Sequence, residues 1–183
     1  MNIQRAFHSN TFFSPHFKPI LYSLVCCWLL CTSCHKEDTR AYIVTSEAFY
    51  EMAMPEQNYQ QLLNEELSKV SADPRFPLLA KKRIEQSKKY ISELNSLLGI
   101  IGSDSSMVIS DENRQRLVEL KKLTGDGFIK ELVRLTVESD QQLIGLHVKA
   151  ISSEGAKDPA LRAWAQEKLP MLTENLTESQ TLK

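Results

Sequence analysis

From about Ala41 to the C terminus the apolar residues recur every three or four positions, and glycine and proline interrupt that rhythm at a few well-separated places. A repeat near 3.6 buries one stripe of a helix, whereas a half-buried strand needs alternation in twos. No run of alternating β-branched residues occurs in this region, so nothing argues for a sheet and the chain reads as all-α.

The breaks define the helices. The first stretch covers about Ala41 to Ser71, with Tyr59, Leu62, Leu63, Leu67 and Val70 at helical spacing. Pro55 within it removes a backbone donor and crowds the preceding turn, which predicts a kink near Met54 or a fresh start at Pro55. After Asp73-Pro74 and Phe76-Pro77, a second helix carries Leu78, Ile84, Ile91, Leu94 and Leu98 along one stripe, and Gly99 closes it. The segment from Ile100 to Ile109 is a connection. Ser110 then offers an N-cap for a short helix through Leu117, Leu120 and Leu123.

Thr124 to Gly127 reads as a turn, because it lacks the longer glycine-rich loop and the lysine of a phosphate cradle. A long helix is expected from about Phe128 to Ser153, burying Phe128, Leu132, Leu135, Leu143, Leu146 and Ala150, with Gly155 ending it. Asp158-Pro159 is the clearest start in the chain, an N-cap followed by proline at the first helical position. The last helix carries Leu161, Trp164, Ala165, Leu172 and Leu176, with a bend expected at Pro170. Four long helices with a short fifth in one crossover fit a four-helix bundle over residues 42–180.

The N-terminal part has a different character. Ile20 to Leu30 is an apolar run of about eleven residues, too short for a hydrocarbon core that needs roughly twenty but the length of a signal-peptide core. Arg5 and Lys18 precede it with no acidic residue before it, and Thr32 and Ser33 stand just before Cys34. The pattern resembles a bacterial lipoprotein signal over residues 1–33, cut so that Cys34 becomes the acylated first residue. Cys31 stands where such signals usually carry leucine; ordinary secretion after Ser33 and an uncleaved anchor are the alternatives.

All four cysteines, Cys26, Cys27, Cys31 and Cys34, lie within or beside the signal. Cutting before Cys34 leaves one thiol, which can form no internal disulfide, so lipidation is the use that remains for it. With Lys36 rather than an acid after Cys34 and His35, the lipoprotein is expected at the outer membrane of a two-membrane bacterium, on its periplasmic or its surface face. Residues 34–41 form the tether. Its Lys36, Glu37 and Asp38 are similar to tethers of surface-exported lipoproteins, or equally a solvated spacer.

Removing residues 1–33 takes Arg5 and Lys18 away and leaves 20 basic residues against 23 acidic ones, a net charge of about −3. That balance attracts neither nucleic acid nor an anionic surface. The membrane, through Cys34, is the one partner the sequence points to; a protein or small-molecule partner stays open.

Residues Leu123 to Phe128, Gly155 to Ala165 and Lys168 to Leu172 carry a family resemblance. They are similar to the second half of an exported ferritin-like domain of unknown function, family 4142, often labelled "predicted outer membrane protein". The likeness extends from about Phe49 to Ser179. It implies a ferritin-like four-helix bundle and carries no established activity. It also implies interior polar positions: a glutamate on the first helix, an aspartate–histidine pair on each of the next two long helices, and a histidine on the last. That set resembles a metal or proton-handling site.

In this chain those positions fall on Gln60, Ser87, Asp140 and Asn175, and none is a histidine. A di-iron bundle needs Glu-x-x-His on two helices. His35 and His147 have Thr32 and Ile144 three residues before them. No catalytic, cofactor or metal residue is therefore assigned and no cofactor is expected. Gln60, Ser87 and Asn175 are read as hydrogen-bonding one another across the core. The alternatives are a relic metal site of Asp140 with Glu85 or Glu138, and plain surface exposure. His147 among Leu143, Leu146 and Ile151 reads as a helix-surface or core residue. Lys81, Lys82, Arg83, Lys88 and Lys89 read as a solvated basic stripe.

Two function classes follow: a non-catalytic helical lipoprotein that binds or supports something at the envelope, and a metal- or redox-active ferritin-like protein. Cells grown with a fatty-acid probe should label the wild-type protein and leave Cys34→Ala unlabelled. Equal labelling of both would defeat the lipid assignment.

Overall fold

The computed structural model describes residues 44–100 and 107–182, so the signal, Cys34, His35 and the tether lie outside the described residues. Five helices follow in order: α1 (Ser46–Leu67), α2 (Arg75–Leu97), α3 (Asp111–Leu120), α4 (Gly125–Ile151) and α5 (Pro159–Gln180). The four long ones form an all-α bundle, and α3 lies in the crossover between α2 and α4. None of the described helices is long and apolar enough to cross a membrane.

Helix α1 packs between α2 and α4, and α5 closes the ring against α4 and α2. Side-chain pairs fix the directions. Gln60 meets Asp140 and Phe49 meets His147, so α1 runs antiparallel to α4, and, α2 being parallel to α4, antiparallel to α2 as well. Across the diagonal, Arg83 meets Asp140 and Tyr90 meets His147 at the same sequence offset of 57, so α2 and α4 run parallel. That parallel pair is what the long crossover permits.

The helix ends follow local chemistry. Thr45, Ser110 and Asp158 cap α1, α3 and α5 by accepting from Ala48 N, Asn113 N and Ala160 N at 3.1, 3.1 and 2.9 Å. Gly99 takes φ 65 after α2, the left-handed turn that glycine makes at least cost. Gly155 serves by being small: a Cβ there would stand 2.2 Å from the carbonyl oxygen of Lys149. That approach lets Ala156 N donate to Ala150 O at 2.8 Å and close the end of α4.

Three expectations change, and the last helix runs through Pro170 as expected. Helix α1 spans Ser46–Leu67 and continues through Pro55 without a fresh start; Glu51, whose carbonyl loses its donor, is exposed and can turn to water. Pro170 is likewise carried within α5, with Gln166 exposed four residues before it. The Thr124–Gly127 segment is the start of α4 rather than a separate turn, with Thr124 at the N-cap and Gly125 at φ 57. On α2 the buried stripe is Phe76, Leu79, Ala80, Arg83, Ser87, Tyr90 and Leu94, while Leu78 is 70% exposed.

The core divides into two apolar clusters. Tyr59, Leu63, Leu67, Leu79, Leu120, Leu132 and Leu135 belong to one; Phe49, Tyr90, Leu94, Leu143, Leu161, Trp164 and Leu172 belong to the other. In the second, His147 is fully buried, with Phe49, Tyr90 and Trp164 ring centroids 5.3 to 5.6 Å away. Its Nδ1 lies 2.8 Å from Leu143 O and its Nε2 lies 3.3 Å from the Tyr90 hydroxyl. The pairing is complete for a neutral ring: Nδ1–H donates to the carbonyl and Nε2 accepts from the phenol.

Burial pushes the His147 ring down to about 4, although the Leu143 carbonyl pulls the other way. The unfolded chain binds a proton near pH 6.5 and the folded one does not until about 4, so stability falls as pH drops through that window. A shift of this size predicts a loss of about 3 kcal/mol between pH 7 and pH 4 from this residue. Urea titrations across that range should show it in wild type, with a shallower slope in His147→Gln.

Candidate polar centre of the bundle

Between the two apolar clusters the helices turn polar side chains inward at helical spacing. Gln57, Gln60 and Asn64 stand at i, i+3 and i+7 on α1; Arg83 and Ser87 at i, i+4 on α2; Asn175 and Ser179 at i, i+4 on α5. Ser139 and Asp140 come from α4. All of these are buried.

At the centre the Arg83 guanidinium pairs with the Asp140 carboxylate. Both residues are 2% exposed. Gln60 Nε2 donates to Asp140 Oδ1 at 3.0 Å, and the Ser179 hydroxyl donates to Oδ2 at 2.7 Å. Arg83 also donates to the Ser179 oxygen. One carboxylate thus gathers groups from α1, α2 and α5 around a residue of α4. Burial pushes the Asp140 carboxyl up, and the Arg83 guanidinium and the Ser179 hydroxyl oppose it.

Two smaller groups flank this centre. Gln57 Nε2 donates to Ser87 Oγ at 2.7 Å. On the other side Glu56 accepts from the Ser139 hydroxyl and, at 3.1 Å, from Asn113 Nδ2, which ties α3 to α1 and α4. Burial raises the Glu56 carboxyl above its usual range, and the Ser139 and Asn113 donors work against that.

The four positions picked out by the family pattern are all buried here. Gln60 and Asp140 bond directly. Ser87 bonds to Gln57 instead, and Asn175 lines the same small cavity as Gln60 and Ser87 without a bond to either. The relic metal set is corrected: Glu85 is exposed, and Glu138 pairs with Arg116 and Arg134 on the outer face of α4, so neither reaches Asp140. Among the described residues no group of three or more histidine, cysteine, aspartate or glutamate side chains could hold a metal ion. The donor set does not fit a metal, because its one carboxylate already faces a fixed cation.

The solvated-stripe expectation is also corrected for Arg83. Lys81, Lys88 and Lys89 are exposed and Lys82 is partly so, pairing with Glu174 and Glu178 at 2.7 and 2.9 Å. Arg83 alone among them turns inward. Its signal lay in the spacing, since residues 76, 79, 80, 83, 87, 90 and 94 form one unbroken helical face. Glu56, Gln57, Asn64, Ser139 and Ser179 are buried as well, and leucine spacing does not reveal them, because the polar members of a buried stripe resemble its edge in sequence.

A crossover bundle with a closed polar layer at mid-height is the class this architecture defines. Residues 56–182 match the domain of unknown function DUF4142, and the chain belongs to that family. No curated protein and no solved structure matches the chain.

Removing one member of a buried pair leaves the other charge without compensation, at about 3–5 kcal/mol. Arg83→Met is expected to lose that much stability in urea, and Arg83→Met with Asp140→Leu to regain more than half of it. Additive losses in the double variant would mean that the pair is not coupled.

Proposed function

We propose that the protein is a cell-envelope lipoprotein, held at the outer membrane of a two-membrane bacterium by acylated Cys34, whose bundle works as a non-catalytic binding or structural module. The observation that carries this reading is the Arg83–Asp140 pair at the bundle centre. A ferritin-like bundle that does redox chemistry surrounds its cations with carboxylates and imidazoles. In this chain a guanidinium supplies the positive charge, and it is covalently fixed and redox-inert.

The interior positions of the family pattern and His147 support the same reading. Gln60, Ser87 and Asn175 are neutral, and His147 sits in an aromatic cluster with both ring nitrogens within reach of partners. None of these is poised to take up or release a proton near neutral pH. The acidic balance of the chain after removal of residues 1–33 speaks against nucleic acid as the partner.

Elemental analysis of the purified protein, prepared without chelator, tests the assignment. Iron, manganese and zinc are expected far below one per chain. A stoichiometric amount of any of them would overturn the non-catalytic reading in favour of a metal- or redox-active ferritin-like envelope protein.

A further inference from the structure

Beside the Arg83–Asp140 pair lies a small cavity of about 10 Å³. Gln57 and Asn64 of α1, Gln86 and Ser87 of α2 and Asn175 of α5 contribute to its wall. The amide oxygens Gln57 Oε1, Asn64 Oδ1, Gln86 Oε1 and Asn175 Oδ1 are all buried and have no protein partner. Such orphaned acceptors cost about 1–3 kcal/mol each unless something donates to them, and four around one cavity is a concentration rather than scatter.

The size and chemistry of the wall select the occupant. A cavity of about 10 Å³ has room for at most one water-sized particle, which needs two to four polar partners. The orphaned groups of the wall are acceptors, so the particle must donate to them. The wall includes the Arg83 guanidinium and no carboxylate of its own, and Asp140 is already paired with that guanidinium, so no uncompensated anion is left to hold a cation. Arg83 has five N–H groups, and its bonds to Ser179 and Asp140 leave donors for the particle's own lone pairs.

We propose that this cavity is a binding site for a single water molecule, which donates to amide oxygens of α1 and α5 and joins α2 to them. With two hydrogens the water serves two of the four orphaned acceptors, on the side that the Asp140 carboxylate does not serve. Asn175 enters the network through it, which explains why this side chain is buried opposite α1 without a direct bond. The site is too small for larger ligands.

A high-resolution crystal structure of the protein, before and after a rubidium soak, decides the matter. The expected result is one spherical peak within about 2.7–3.2 Å of at least two of Gln57 Oε1, Asn64 Oδ1 and Asn175 Oδ1, with no anomalous signal after the soak. The peak should be lost in Asn64→Leu with Asn175→Leu. A cavity without a peak, its amides turned to pair with one another, would overturn the proposal. So would an anomalous rubidium peak, which would make it a monovalent-cation site.

Discussion

A guanidinium and a carboxylate placed in the dry middle of four helices impose demands on everything around them. Each charge loses its hydration, and their mutual attraction repays that loss only when the remaining donors and acceptors are also paired. The Arg83–Asp140 pair meets the condition by recruiting Gln60 and Ser179, so that all four long helices supply one partner each. Any slip of one helix along its axis would break several of these bonds together. A pair of this kind contributes more to the choice of register than to net stability.

The same register is read a second time two turns away. Tyr90 lies seven residues after Arg83 and His147 seven after Asp140, so the diagonal contact recurs with the same offset. At the first level the helices meet through charge, and at the second through an aromatic cluster in which a neutral imidazole bonds at both nitrogens. The two apolar clusters lie to either side of the polar layer and provide the bulk of the burial. The division of labour is clear: apolar contacts are non-directional and hold the helices together, while directional bonds decide which residues face which.

How far this could be read from the chain varies by element. Caps at Ser110 and Asp158, the stop at Gly99 and the four long helices were legible, because each depends on the conformational habits of one or two residues. The fresh start expected at Pro55 does not occur, because the carbonyl that proline leaves without a donor, that of exposed Glu51, can turn to water, and exposure is a tertiary property. On α2 the apolar residues Leu78, Ile84, Ile91 and Leu98 suggested a face rotated from the real one. Leu78 is exposed and Arg83 is buried, and this inversion makes sense only once Asp140 is known to lie opposite.

The candidate centre divides in the same way. Its positions on Gln60, Ser87, Asp140 and Asn175 could be marked from the family pattern, but not their partners. Local sequence determined the all-α class, the helix order and most of the ends, because hydrophobic spacing and capping act within a few residues. It also carries, up to Cys34, a pattern that resembles a lipoprotein signal. Tertiary structure alone decided that Arg83 belongs to the interior, that Asp140 is its counter-charge, and that Ser87 pairs with Gln57 rather than with Gln60. The reason is physical: the free energy of a buried polar group is set by the partner brought to it from another helix, and no residue carries that information by itself.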